Sequence, residues 1–170
     1  MKRLLRLGNS ELQKKAQPVT DFDTPELHRL VKELFNTMKA NGGVGIAAPQ
    51  VGVPLQVVVF GFQKSERYPH ANPVSETVMI NPSYKSEDGV TYEDWEGCLS
   101  VKGLRGLVKR YQNISFNWYD VQGNYHEDKA SGFRARIIQH EIDHLNGKLF
   151  IDYLNIFYYF IFCLFFSILL

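Results

Sequence analysis

The chain has 170 residues, 19 Lys and Arg against 18 Asp and Glu, a formal net charge of +1 and 45% hydrophobic residues; that is one domain's worth of sequence with enough apolar content for a core. Charge this close to balance, with no run of Lys or Arg, gives no electrostatic reason to expect duplex nucleic acid or an anionic membrane as primary ligand. Two distant cysteines, Cys98 and Cys163, do not make a disulfide framework, and Met1-Lys2-Arg3-Leu4-Leu5-Arg6-Leu7 lacks the sustained apolar stretch of a secretory signal, so a reducing, cytoplasmic address is expected.

Thr24-Pro25-Glu26 offers an N-cap followed by proline at the first helical position. Leu27, Leu30, Val31, Leu34, Phe35 and Met38 then recur at helical spacing, predicting an amphipathic helix that stops at Asn41-Gly42-Gly43. A Gly/Ala/Pro loop is expected through Pro54, followed by a short buried strand over Leu55 to Phe60. Residues 61–75, polar and carrying Pro69 and Pro73, read as a surface loop ahead of a strand around Thr77 to Ile80. Alternation from Leu104 to Lys109 and from Ile114 to Trp118 predicts half-buried antiparallel strands, and Gln122-Gly123-Asn124 a hairpin turn before Tyr125 to Lys129. Ser131 is placed to cap a last helix whose apolar side is Phe133, Ile137, Ile138, Ile142 and Leu145, ended by Gly147.

That order predicts an α+β fold over residues 1–152: antiparallel strands packed around the C-terminal helix, with the N-terminal helix on the outside. Residues 153–170 form a separate hydrophobic tail, apolar from Ile156 onward except for Ser167. As a helix the apolar run rises roughly 22 Å, short of the roughly 30 Å hydrocarbon core of a bilayer. A marginal membrane anchor, a helix packed on the domain or on a partner, and an altered gene end all remain open for it.

The sharpest chemical signal is His140-Glu141-Ile142-Asp143-His144, an H-E-x-x-H pattern inside that C-terminal helix. Two imidazoles four residues apart share one helical face and can hold one divalent metal, with Glu141 beside them as a candidate general base. Cys98, in Glu96-Gly97-Cys98-Leu99-Ser100, is the natural third ligand, and a Cys, His, His set leaves a position open as catalytic sites do. Gly43-Val44-Gly45-Ile46-Ala47-Ala48-Pro49-Gln50 supplies small residues that admit a ligand's backbone and, in Gln50, an amide donor for a developing oxyanion.

Taken together, Gly43 to Gln50, Glu96 to Ser100 and Gln139 to His144 resemble the three signature motifs of the peptide deformylases, in the same order. The likeness spans nearly everything before the tail and departs at Lys102, where many members carry proline, and beyond Leu154, where many run into a charged helix. It implies hydrolytic removal of the N-formyl group from the initiator N-formylmethionine of new polypeptides, releasing formate. It also implies Cys98, His140 and His144 as ligands of one metal ion, Fe2+ in the first place with Zn2+, Ni2+ or Co2+ able to replace it, since Cys and His suit several metals. Glu141 is then the acid/base for attack of a metal-activated water on the formyl carbon, and Gln50 with the Leu99 backbone N–H holds the oxyanion.

For the substrate, Val44-Gly45 and the segment Gly97-Cys98-Leu99 are expected to pair with an extended peptide as an added strand, and Val44 and Ile137, with Phe133 behind them, to line a slot for methionine. The expected partners are N-formylmethionyl nascent peptides near the ribosome exit region, with no direct sequence-specific nucleic-acid contact and membrane association resting on the tail alone. Two rivals stand beside this reading. One is an H-E-x-x-H metallopeptidase cleaving internal peptide bonds, which Cys98 and the Gly43 to Gln50 motif argue against. The other is a catalytically impaired, metal-stabilised binding module that reaches a membrane through its tail.

Overall fold

The protein is described by a computed structural model over residues 2–154; the apolar run from Ile156 to Leu170, and with it the anchor expectation, lies outside the described residues. Two α-helices, α1 (Pro25–Ala40) and α2 (Gly132–Leu145), accompany seven strands. These are β1 (Gly45–Ala47), β2 (Val57–Phe62), β3 (Val74–Ser86), β4 (Thr91–Cys98), β5 (Val101–Tyr111), β6 (Asn113–Tyr119) and β7 (Tyr125–Ser131). Short 3-10 turns lie at Ser10–Gln13, Ala48–Val51 and Phe150–Tyr153. The five-stranded sheet has the order β1-β2-β3-β6-β7, and β4 and β5 form a separate two-stranded ribbon; every pairing between these strands is antiparallel.

The large sheet lies between the two helices, as strand alternation dictates. Val57 and Val59 of β2 and Ile80 of β3 join Leu27, Leu30, Leu34 and Met38 of α1 in one core cluster. Val58, Phe60, Met79, Ile114 and Phe116 project to the other face and meet Ala135, Ile138, Ile142 and Leu145 of α2. Covered on both faces, β2 has no polar position at all, which is why its sequence reads as a continuous apolar run and not as an alternation. A third, smaller cluster joins Cys98, Val101 and Val108 of the ribbon to Leu149 and Phe150 after α2, with Ile151 and Leu154 packed against it.

The predicted α+β layout is the one observed, and α1 is the outer helix, capped as expected by the Thr24 hydroxyl accepting from Leu27 N–H at 3.2 Å. The details differ where local pattern is weak. The segment read as a Gly/Ala/Pro loop contains β1, paired with β2 through Gly45↔Phe60, Ile46↔Val59 and Ala47↔Val58. β3 starts earlier and ends later than Thr77–Ile80 because its second half pairs with β6 outside the region where its first half pairs with β2. β4, rich in acidic residues, was not foreseen as a strand; β5 holds it in register from Thr91↔Tyr111 to Gly97↔Arg105. Ser131 occupies the N-cap position of α2 but makes no side-chain cap bond, and the Gly132 N–H is satisfied instead by the Gln112 carbonyl at 2.9 Å.

The largest departure is α2 itself. A one-sided amphipathic helix was expected, yet Arg136, Gln139, Glu141, Asp143 and His144 are as buried as the aliphatic residues between them. α2 therefore runs through the middle of the molecule between the sheet and the ribbon, and its polar side lines a site. Gly147 ends it with φ +70°, at a place where a β-carbon would collide with the Gln13 carbonyl of the N-terminal segment. No helix among the described residues is long and apolar enough to cross a membrane.

Candidate metal centre and catalytic pocket

Three donors come together where β4 ends beside α2. The helical repeat stacks His140 one turn before His144, with ring centroids 5.0 Å apart, and the irregular register between Gly97 and Cys98 turns the Cys98 thiol toward them. Cys98 Sγ lies 3.3 Å from His144 Nε2, and one ligand atom from each of the three residues lies within 4.8 Å of the others. The donor chemistry fits a divalent transition metal: one soft thiolate and two imidazoles, with three protein ligands and an open side, form the layout of a catalytic site.

Electrostatics favour the ligating form of the thiol in the metal-free chain. Burial pushes Cys98 up, but the imidazoles of His144 and His140 outweigh it and hold the thiol well below its ordinary range. Two further groups donate to the sulfur: Gln50 Nε2 at 3.5 Å and the Ser100 N–H at 3.4 Å.

Behind the donors lies a buried charge network centred on Glu96. Its carboxylate accepts from His140 Nδ1 at 2.9 Å, leaving Nε2 of that ring as the atom available to a metal. It also accepts two bonds from Arg110, at 2.8 and 3.0 Å, and one from Arg136 Nη1 at 2.7 Å. Burial works against the Glu96 carboxylate, and the bonds from His140 and Arg110 more than reverse this, holding it well below the usual carboxylate range. Arg110 reaches on to Asp143 at 2.5 Å, and Asp143 accepts the Tyr153 hydroxyl at 2.9 Å. Gln139 fastens the same helix to β5, accepting from Tyr111 N–H at 3.0 Å and donating to Tyr111 O at 2.9 Å. The His144 Nδ1 atom has no partner among the described residues.

Glu141 sits on the open side. It is 4% exposed, and its Oε2 has no hydrogen-bond partner among the described residues. Burial pushes its carboxyl up to about 7 against the pull of His140 and His144. The space next to it exists because residue 45 is glycine: a β-carbon there would collide with the Glu141 carboxylate. Gln50 is locked from behind, its Oε1 accepting from Ala47 N–H at 2.8 Å, so that its Nε2 faces Cys98 and the Ser100 hydroxyl, the latter at 3.1 Å. The N-terminal segment braces both loops: Leu5 N–H donates to Gln50 O and Leu7 N–H to Ser100 O, each at 2.8 Å, and Arg6 Nη1 donates to Leu99 O.

The residues singled out from the sequence thus converge. Val44, Gly45, Gln50, Gly97, Cys98, Leu99, Phe133, Ile137, His140 and Glu141 line one cavity, and His144 contacts one of these, Cys98, at 3.3 Å. Sequence reasoning missed Arg67, Tyr68 and Arg136, which line the same cavity, and it missed Arg110 and Asp143 behind it. A buried Arg and a buried Asp carry no local signature; their ion-pair partners lie between 14 and 40 residues away. Arg67 and Tyr68 belong to a stretch whose polarity marked it as surface loop, with nothing to show which surface it covers.

A thiolate and two helical imidazoles beside a buried carboxylate define a metallohydrolase-type site, and comparison with known proteins gives its family. The family profile of the polypeptide deformylases matches residues 1–157, so this chain belongs to that family and is an enzyme of the hydrolase class. It is 49% identical over 147 residues to peptide deformylase 2 of Bordetella bronchiseptica, covering 86% of this chain and 84% of that one. Peptide deformylase 2 of Ralstonia nicotianae is likewise 49% identical over 147 residues, 86% and 83% of the two chains. Among solved structures, the Met-Ala-Ser-bound class I type b peptide deformylase of Acinetobacter baumannii superimposes with a TM-score of 0.87 at 35% identity, over 90% of this chain and 98% of that one. The Plasmodium falciparum peptide deformylase gives 0.80 at 34% identity, over 90% and 86%.

Proposed function

We propose that this deformylase removes the N-formyl group from N-formylmethionine at the start of new polypeptides, with Cys98, His140 and His144 holding one metal ion and Glu141 moving the protons. The observation that carries the reading is Glu141: a fully buried carboxylate with an unpartnered oxygen, one residue from a ligand-set histidine and facing a gap kept open by Gly45. A divalent ion on these three donors supplies an electrophilic centre that acidifies water. Fe2+ is the proposed resident, and Zn2+, Ni2+ and Co2+ suit the same donors.

The chain's own groups then divide the work. Glu141 takes a proton from the attacking water as its oxygen bonds to the formyl carbon. Gln50 Nε2, held by Ala47, and the Leu99 backbone N–H donate to the oxyanion that develops on the formyl oxygen. As the carbon–nitrogen bond breaks, Glu141 passes its proton to the departing amine, leaving formate and a free methionine amino group. A carboxyl whose site lifts it to about 7 is suited to accept and return a proton near neutrality.

The peptide lies between two strand edges. β1 is terminal in the five-stranded order and β4 belongs to a separate ribbon, so Val44-Gly45 and Gly97 offer backbone to an extended chain entering from either side. Val44 and Ile137, with Phe133, form the slot for the methionine side chain. The natural substrates in this reading are nascent chains at the ribosome exit region, and the site of action is the cytoplasm.

The test compares Glu141→Gln and Gln50→Ala with the unaltered protein, each loaded with one metal ion, in formate release from a formyl-methionyl tripeptide amide. Glu141→Gln is expected to keep its metal and lose about 10²- to 10⁴-fold in rate. Gln50→Ala is expected to lose about 10²-fold, mainly in kcat. Full turnover by metal-loaded Glu141→Gln would sink the assignment.

A further inference from the structure

The loop between β2 and β3 lays a cation over the mouth of the pocket. Arg67 and Tyr68 line the cavity, and Tyr68 is fixed by packing on Phe133 with ring centroids 4.7 Å apart, Phe133 in turn meeting Phe62 edge-on at 6.0 Å. This places an Arg67 terminal nitrogen directly above Gly97: a β-carbon built there would lie 2.8 Å from it. The Arg67 guanidinium rests 5.9 Å from the Tyr68 ring centroid and has no carboxylate or carbonyl partner among the described residues.

The carboxylates of the pocket do not answer it. Glu96 is engaged by Arg110, Arg136 and His140, and Glu141 lies beneath Gly45. A second guanidinium, Arg105, rests 5.1 Å from the same Tyr68 ring, and its side chain also flanks Gly97. A half-buried, unanswered guanidinium above the strand edge offered to the peptide is built for an anion that arrives with the ligand.

We propose that Arg67 is a specificity-determining residue that receives a side-chain carboxylate from one of the two residues following the substrate's methionine, so that Asp and Glu there are preferred over Asn and Gln. The inference rests on the deformylase reading given above.

The experiment uses the metal-loaded full chain and formyl-methionyl peptides that differ only as Asp against Asn at the second or the third residue. They are made with amidated ends, and again with free carboxyl ends, to separate a side-chain carboxylate from a terminal one. In the amidated set the acidic peptide should have the higher kcat/KM by about three- to fivefold, the size of a partly exposed ion pair, through KM and fading with salt. Arg67→Gln should bring the Asp-to-Asn ratio to about 1, and Arg67→Lys should restore part of it.

A ratio of about 1 in the unaltered protein, a ratio unmoved in Arg67→Gln, or a preference for the free carboxyl end alone would each overturn the proposal. Calorimetric binding of Met-Asp-Ser amide against Met-Asn-Ser amide reads the same contact without turnover. Absence of formate from every peptide would therefore defeat the deformylase reading, while the binding ratio still decides the role of Arg67.

Discussion

Replacing Glu96 by Gln tests how the metal site is supported. The carboxylate is 3% exposed and accepts four hydrogen bonds, two from Arg110, one from Arg136 and one from His140. With Asp143 it balances two guanidiniums whose side chains are 2–3% exposed. Glutamine keeps the shape but removes the charge and turns one acceptor into a donor facing donors. One buried guanidinium is then uncompensated, a change that costs about 3–5 kcal/mol, with the isosteric replacement at the lower end of that range. The same substitution removes the partner that orients His140, for which a 10- to 100-fold loss of metal affinity is typical, or about 1.4–2.8 kcal/mol. Urea unfolding of the metal-free chain reads the first quantity and competition with a chelator the second. If Glu96→Gln unfolds within about 0.5 kcal/mol of the unaltered protein and holds its metal as tightly, the network does not support the site as argued.

Other perturbations probe separate links. Gly45→Ala drives a β-carbon into the Glu141 carboxylate; it is expected to lose about 10²-fold in turnover with metal retained and unfolding still cooperative, as measured by formate release and metal content. Cys98→Ala should fail to retain a stoichiometric metal ion after gel filtration, since two imidazoles alone do not complete the site. At the β6–β7 hairpin, slight burial pushes Asp120 up, but His126, Asn124 and the N–H groups of Asn124 and Gln122 hold it at about 2. A depressed carboxyl contributes stability above its unfolded value near 3.8, and the contribution fades as pH falls from there through about 2. Asp120→Asn should accordingly melt about 2–4 °C lower at pH 7, with the gap narrowing below pH 4, by differential scanning calorimetry; a gap that does not change with pH would contradict the linkage.

What the sequence discloses and what it hides follow from the range of the forces involved. α1 is readable because a cap, a proline and a 3.6-residue apolar repeat all act within one segment. His140, Glu141 and His144 are readable because one helical turn brings them together without help from the rest of the chain. Cys98 and Gln50 meet them only through tertiary structure; two histidines ask for a further ligand, which points to Cys98, whereas Gln50 takes its role from the likeness of Gly43 to Gln50 to a family motif. Arg110 and Arg136 escape such reasoning because each looks like an ordinary surface charge, and Glu96 and Asp143, though inside the motifs, show no sign there of their ion pairs; only the threading of α2 between sheet and ribbon buries the four against one another. β1 escapes for a related reason, since its Gly45 is dictated by the close approach of Glu141 and not by strand propensity.

The most direct measurement is formate release from a formyl-methionyl tripeptide by the full-length chain, loaded with Fe2+ or Ni2+ without oxygen, alongside the unformylated peptide as a control for peptide-bond cleavage. The account predicts stoichiometric formate and free methionyl peptide, with no cleavage of either peptide backbone. Backbone cleavage, or no formate from a chain carrying one metal ion, would contradict it.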